Sequence, residues 1–454
     1  MPNIMDYLDW RGDLTFSASP FCEVDNLILS ELAFMDFRGV IDENFSRSIA
    51  LSDAAARLSH FREEDMVESG ILLPKDLLPL LRKTAASARF RDVLLCGFES
   101  RTDTSCETQF AAVTMLLPDG TLFVSYRGTD DTLVGWKEDF NMSFLPVVPS
   151  QSYAVRYLER VADAYPYPIR VGGHSKGGNL AVYAAASVSE TAQRRILDVY
   201  SNDGPGFSRE FLDSPGYARI RLRVSTIVPQ TSIVGMLLEH EGNFTIVKST
   251  QDGILQHDGF SWEVQGASFV RIGDFTEESR AIDRTLKAWI AEMNEEERAA
   301  FVDALYEILS SANAPTISAI TESKGSLKQI IKSITPEHRM ILQKTLRSLY
   351  RAWQRVQEED RELRREERLA DKERMAEARM IEREAVDREK EERRIRSATT
   401  REAKRRRRAA LMVAVRPIEF KMVRASRPLE ADAAEENAEA DPTEKITENP
   451  TENS

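Results

Sequence analysis

PIRVGGHSKGGNLAVYAAASVS, residues 168–189, decides how this chain is read. At its centre stands Gly173-His174-Ser175-Lys176-Gly177, a G-x-S-x-G pattern. Ile169, Arg170 and Val171 before it predict a short strand ending at glycine. Residues 179–188, with Leu180, Val182, Tyr183 and a run of alanines, predict a buried helix. Strand, sharp turn and helix are the setting of a nucleophile elbow. A serine in so tight a turn leaves no room for side chains two positions away, hence Gly173 and Gly177. The turn lifts the Ser175 hydroxyl clear of the sheet edge. It also aims the Lys176 N–H, at the start of the helix, toward a developing oxyanion. A phosphate-binding loop is the weaker reading, because neither the Walker spacing nor G-x-G-x-x-G is present.

Outward from the elbow, strands and helices alternate. Val93 to Gly97, then TQFAAVTMLL at 108–117, then TLFVSY at 121–126 predict three strands, with a Pro118-Asp119-Gly120 turn closing a hairpin. Arg127-Gly128-Thr129-Asp130-Asp131 breaks the last of them, and residues 151–165 predict an amphipathic helix leading to the elbow. Beyond it, residues 197–200, 219–228 and 245–249 predict further strands. Such alternation implies a largely parallel α/β sheet. Before it, residues 1–88 read as a helical cap, with Leu27, Leu29, Leu32, Ala33 and Phe34 on one face. Leu72, Leu73, Leu77, Leu78 and Leu81 suggest another helix behind Pro74. This cap shows no obvious chemistry of its own.

A serine hydroxyl is a weak nucleophile until a base takes its proton. The chain has five histidines. His60 and His338 fall in helical flanks, and His174 beside the serine is expected to pack or cap. His240, in LLEHEG, reads as a surface residue on a helix. His257 follows a strand in a loop and is the expected base. The acid that holds its tautomer is sought among Asp203, Asp252 and Asp258. Asp203, ending a strand at NDGPGF, is preferred; Asp258 is expected to be solvated. Oxyanion donors are expected from the Lys176 N–H and from Thr129, through its N–H and hydroxyl. Arg127 reads as half of a structural ion pair, with Asp139 as partner.

The chain has 454 residues, 42% hydrophobic and 30% charged, with a net charge of −13. The acidity disfavours a general nucleic-acid role. Cys22, Cys96 and Cys106 have no metal or redox spacing, which suits a reducing compartment. The opening MPNIMDYLDWRGDL lacks signal-peptide features, and no stretch approaches a membrane span, so a cytoplasmic protein is expected. Five regions follow: a cap at 1–88, a catalytic domain at 89–275, helices at 276–353, a charged helix or coiled coil at 354–410, and a disordered acidic tail at 411–454. In the charged stretch Glu–Arg pairs at helical spacing support a solvated helix, while sparse apolar positions leave coiled-coil self-association as the alternative. Its basic run at 404–408 is a candidate for peripheral contact with an anionic membrane.

FVSYRGTDDTLVGWKEDF, VGGHSKGGNLAVYAA, NDGPGF, VPQTSIVGMLLEH and QHDGFSWEV, with the openings MDYLDWRGDLTF and PFCEVDNLILSELAF, resemble the Mbeg-like proteins, a bacterial lipase-like family of unknown function. That family is similar to the class three, fungal-type lipases. The resemblance spans roughly residues 1 to 265. It implies an α/β-hydrolase core with Ser175 as nucleophile, His257 as base and Thr129 near the oxyanion. One departure stands out: class three lipases take their acid after the strand that here ends at VPQTS, where Gln230 and Ser232 offer no carboxylate. Either Asp203 supplies it from one strand earlier or the triad is incomplete. The resulting expectation is a serine esterase acting on a small or lipid-like acyl ester, without metal or cofactor. The alternative is a hydrolase-fold binding or scaffold protein with little activity.

Overall fold

The computed structural model describes residues 1–60, 76–130, 132–142, 145–242, 244–311, 330 and 332–414. Among the described residues one sheet carries eight strands in chain order: β1 Ile49–Ala50, β2 Leu94–Asp103, β3 Thr108–Leu116, β4 Leu122–Tyr126, β5 Ile169–His174, β6 Ile196–Asn202, β7 Val224–Pro229 and β8 Phe244–Val247. From β1 to β4 neighbours run antiparallel, and from β4 to β8 parallel. The sheet is therefore mixed rather than largely parallel. The reason lies in the connections: β3 and β4 are joined by a tight turn with Gly120 at φ 82°, and a turn of that length can only reverse the chain. Parallel neighbours need crossovers, and helices supply them on either side of β5.

Helices α1 Ile4–Arg11, α2 Glu23–Leu32, α3 Leu51–Leu58 and α4 Leu77–Ala86 precede β2; α5 Leu133–Asn141 and α6 Pro149–Ala164 lie between β4 and β5; α7 Lys176–Ser187 follows β5. Leu72, Leu73 and Pro74 lie outside the described residues. Strand β4 shows how the two faces divide. Leu122, Val124 and Tyr126 join the core with α6 and α7, while Phe123 joins the core with α2, Val113 and Trp262. Both faces are covered, so the central strands are largely buried, and polar residues among them such as Ser125 and Asn202 are buried with hydrogen-bond partners. Helix α2 is buried on every side from Val24 to Leu32. Its charge Asp25 is held by Arg89, whose Nε donates at 2.7 Å, and by the Tyr7 hydroxyl at 2.9 Å.

One predicted strand starts later than expected. Residues 219–223 are helical, in Pro215–Ile220 and a 3-10 turn Arg221–Arg223, and β7 begins at Val224. The alternating Arg and aliphatic residues mimic a strand period, but Ser214 caps Tyr217 N and Pro215 opens the helix.

The chain forms two compact units, 1–366 and 367–454. In the first, α8 Glu277–Glu292 and α9 Glu295–Ser310 pack with the start of the long helix α10 Pro336–Ala414. Ala352 and Val356 are buried there, and Asp360 pairs with Arg284. The charged stretch is thus not uniformly solvated from residue 354 onward. In the second unit every described residue of 367–412 is exposed, with Glu–Arg pairs such as 389/393 and 402/406 at helical spacing. Residues 411–414 of the expected disordered tail continue helix α10, and 415–454 lie outside the described residues. Among the described residues no helix is long and apolar enough to cross a membrane.

Candidate active site

Ser175 joins β5 to α7 with φ 58° and ψ −133°, a conformation that costs a serine free energy and persists only when its surroundings enforce it. The glycines around it are sterically required. A Cβ on Gly177 would sit 2.1 Å from the Tyr126 carbonyl oxygen, and one on Gly173 would sit 2.3 Å from the Gly177 carbonyl carbon. Gly128 approaches from the loop after β4, where a Cβ would stand 3.1 Å from that of Ser175. Below the turn, the Ser175 N–H donates to Asn202 O at 2.9 Å. The Asn202 amide donates to Gly173 O at 3.0 Å and accepts from Asn26 at 2.8 Å. The elbow is pinned from beneath by β6 and by the polar edge of α2.

Asp203 follows β6 and takes φ 49°, a left-handed conformation that aspartate tolerates better than most residues. Its carboxylate is buried. Oδ2 accepts from His257 Nδ1 at 2.6 Å, and Oδ1 accepts from the Ser232 hydroxyl at 2.5 Å. Because the carboxylate accepts, the imidazole carries its hydrogen on Nδ1, and in the neutral ring Nε2 holds the lone pair. His257 ends the 3-10 turn Gly253–His257 after β8. Gln256 locks that turn: its Oε1 accepts from Thr231 N at 2.9 Å and its carbonyl accepts from Trp262 Nε1 at 2.9 Å. Serine, aspartate and histidine thus come from the carboxyl ends of β5, β6 and β8, where open α/β sheets gather their functional groups.

The structure brings Asp203 and His257 together and gives the rival carboxylates other places. Asp252 is exposed. Asp258 is half-buried rather than solvated, accepts from Phe260 N at 3.0 Å, and has its carboxyl pushed up by burial. His240 is neither helical nor a surface residue. It lies in a loop packed on Phe244, and burial lowers its imidazole to about 4. His338 pairs with Glu307 at 3.0 Å.

The oxyanion side differs in detail from expectation. The Thr129 hydroxyl donates to Asp139 Oδ2 at 2.5 Å, so it is already engaged. Burial pushes the Asp139 carboxyl up to about 6, against the pull of Lys176 and Thr129. The Lys176 side chain runs away from the serine into the interior, donating to Gln109 O at 2.9 Å, Gln109 Oε1 at 2.6 Å and Glu138 Oε2 at 3.1 Å. Its main-chain N–H opens α7 beside Ser175. Arg127 pairs with Asp130 at 3.3 Å, not with Asp139, because the turn after β4 folds Asp130 back onto it. Among the described residues no group of His, Cys, Asp and Glu side chains is placed to hold a metal ion.

Sequence reading missed Ser232, Gly235 and the buried polar face of α2. A Cβ on Gly235 would stand 2.3 Å from Asp203 Oδ1, so only glycine admits the carboxylate. Asn26, Ser30 and Glu31 are visible in the sequence as polar residues among the leucines of a buried helix, but nothing local marks their partners.

A mixed sheet with a strand–serine–helix elbow, an aspartate after β6 and a histidine after β8 defines an α/β-hydrolase core. Within that class, residues 84–307 match the family model described as Mbeg1-like, in accord with the resemblance carried by the motifs. Among solved structures the chain is similar to the Rhizomucor miehei lipase propeptide complex, at 16% identity and TM-score 0.27, covering 39% of this chain and 70% of that one. It is also similar to M37 lipase, at 15% identity and TM-score 0.29, covering 46% and 68%. Lipase II of Rhizopus niveus gives 20% identity and TM-score 0.24, covering 30% and 58%. No curated protein matches the chain.

Proposed function

We propose that this protein is a serine hydrolase that cleaves a carboxylic ester, with a lipid-like acyl group as the preferred substrate. The observation that carries the reading is the buried Asp203–His257 hydrogen bond of 2.6 Å, on the sheet edge where the strained Ser175 stands. In this reading Ser175 Oγ attacks the ester carbonyl while His257 Nε2 takes its proton. The tetrahedral oxyanion is met by the Lys176 and Thr129 N–H groups. His257 then returns the proton to the leaving alcohol, and water repeats the cycle on the acyl-serine. Asp203 keeps the imidazole in the tautomer this requires and stabilises it when charged. The acyl preference is supported by exposed aliphatic residues flanking the site loops in sequence: Leu145 and Val147 after α5, Ile254 and Leu255 just before His257. Cys22, Cys96 and Cys106 are free thiols, which suits a reducing compartment.

The test is hydrolysis of p-nitrophenyl esters of graded chain length by the full chain. The expected result is turnover that rises with acyl length and is lost in Ser175→Ala. Equal turnover in the wild type and Ser175→Ala removes the reading.

A further inference from the structure

Beneath the proposed base lies a second pair of titratable side chains that the reaction does not use. Glu31, on α2, is fully screened from solvent, and among the described residues neither carboxyl oxygen has a hydrogen-bond partner. Its Oε1 stands 3.5 Å from His174 Nδ1, which is also buried and unpartnered. The other ring nitrogen, His174 Nε2, lies 2.8 Å from the main-chain oxygen of His257, and the two imidazoles pack with centroids 4.6 Å apart. Gly259 leaves the carboxyl its space, since a Cβ there would stand 2.7 Å from Oε1.

The hydrogens follow from these contacts. A carbonyl oxygen only accepts, so His174 Nε2 carries a hydrogen, and in the neutral ring Nδ1 presents a lone pair. That lone pair faces a carboxyl group. In a dry interior two facing acceptors are costly unless one proton lies between them. Burial acts on both partners in the same sense: it pushes the Glu31 carboxyl well up, with Asp258 adding to the rise, and pushes the His174 imidazole well down, with His257 adding to the fall. Among the described residues Asp76 adds in turn to the rise of the Asp258 carboxyl.

We propose that Glu31 is a carboxylic acid in the folded protein and donates its hydrogen to His174 Nδ1, so that His174 Nε2–H holds the main-chain carbonyl of His257. Glu31 and His174 are positioning residues for the base, and their role rests on the assignment of His257 made above. The pair has a defined proton balance. Between the ordinary values of 4.5 and 6.5, the unfolded chain holds one proton on the histidine and the folded chain holds one on the glutamate. Folding moves no net proton in that window. Above it the unfolded pair is empty, the folded pair still holds its proton, and stability falls as pH rises.

The experiment uses the full chain and begins with infrared spectroscopy at neutral pH after isotopic labelling of glutamate. The expected spectrum contains a buried carboxylic-acid C=O stretch that is absent from Glu31→Gln. Loss of no such band, with Glu31 present only as carboxylate, overturns the proposal. This readout needs no turnover, so its failure is distinct from failure of the hydrolase reading. Kinetics supply the second arm. Glu31→Gln should keep kcat within about threefold of wild type, because an amide donates the same hydrogen. It should also lose the decline in stability above neutral pH. Glu31→Leu should lower kcat by about 10²-fold at unchanged KM, the scale of a misplaced catalytic group. If Glu31→Gln loses as much activity as Glu31→Leu, or does not fold, the acid form is not what the site uses and the proposal fails.

Discussion

Replacing Asp203 by asparagine isolates one hydrogen bond. The backbone should not object, since asparagine accepts the φ of 49° as readily as aspartate. Nor has the side chain open space to swing into, because Asp203 is fully buried. The Ser232 hydroxyl, 2.5 Å away, donates to Oδ1 and keeps the amide oxygen on its side. The amide NH2 then faces His257 Nδ1, where wild type has an acceptor at 2.6 Å. Two donors cannot face each other, so the imidazole hydrogen moves to Nε2 and the base is lost. The same exchange in a serine protease costs about 10⁴-fold in kcat, or about 5.4 kcal/mol at 1.36 kcal/mol per tenfold. The assay is kcat on a soluble p-nitrophenyl ester, with circular dichroism to show that the variant is folded. Asp258→Asn serves as control, because that carboxylate caps Phe260 N instead. A folded Asp203→Asn variant with more than about a tenth of wild-type kcat, or a larger loss in Asp258→Asn, refutes the tautomer argument.

Three further outcomes follow from the same geometry. Lys176→Met leaves Glu138 charged and buried without its ammonium partner, and chemical denaturation should show a loss of about 3–5 kcal/mol. Asp139 holds a proton between 3.8 and about 6 that the unfolded chain releases. Its contribution to stability is therefore present below 3.8 and falls as pH rises through that window; Asp139→Asn should flatten the Tm profile across it. Truncation after Glu366 should leave soluble-ester turnover unchanged, whereas truncation after Trp353 removes buried Val356 and the Asp360–Arg284 pair and should lower Tm.

The elbow was legible because its chemistry is local. Gly173 and Gly177 are dictated by a turn whose strand and helix flank it in sequence, and the contacts with Tyr126 show why. Asp203 and His257 were legible as residues following strands, which is a property of sequence order. What joins them was not. Ser232 lies in the segment after β7, where the motif resemblance led one to look for a carboxylate, and only the fold shows its hydroxyl on Asp203. Glu31 and Asn26 sit on a helix read as a plain apolar cap; their partners lie far along the chain, and no period in the sequence encodes such contacts. The strand at 219–228 was misread because its alternating arginines satisfy a period of two, which the capping serine and proline override.

The proposed chemistry stands on Ser175 being a nucleophile activated by His257. Labelling with a fluorophosphonate tests it most directly, because the probe reports serine activation whatever the natural ester is. The full chain is incubated with the probe, digested, and the modified peptide is mapped by mass spectrometry. One adduct is expected, on Ser175, absent from Ser175→Ala and slowed by orders of magnitude in His257→Gln. Folded wild-type protein that takes no label, or carries it on another serine, rules out Ser175 as the activated nucleophile.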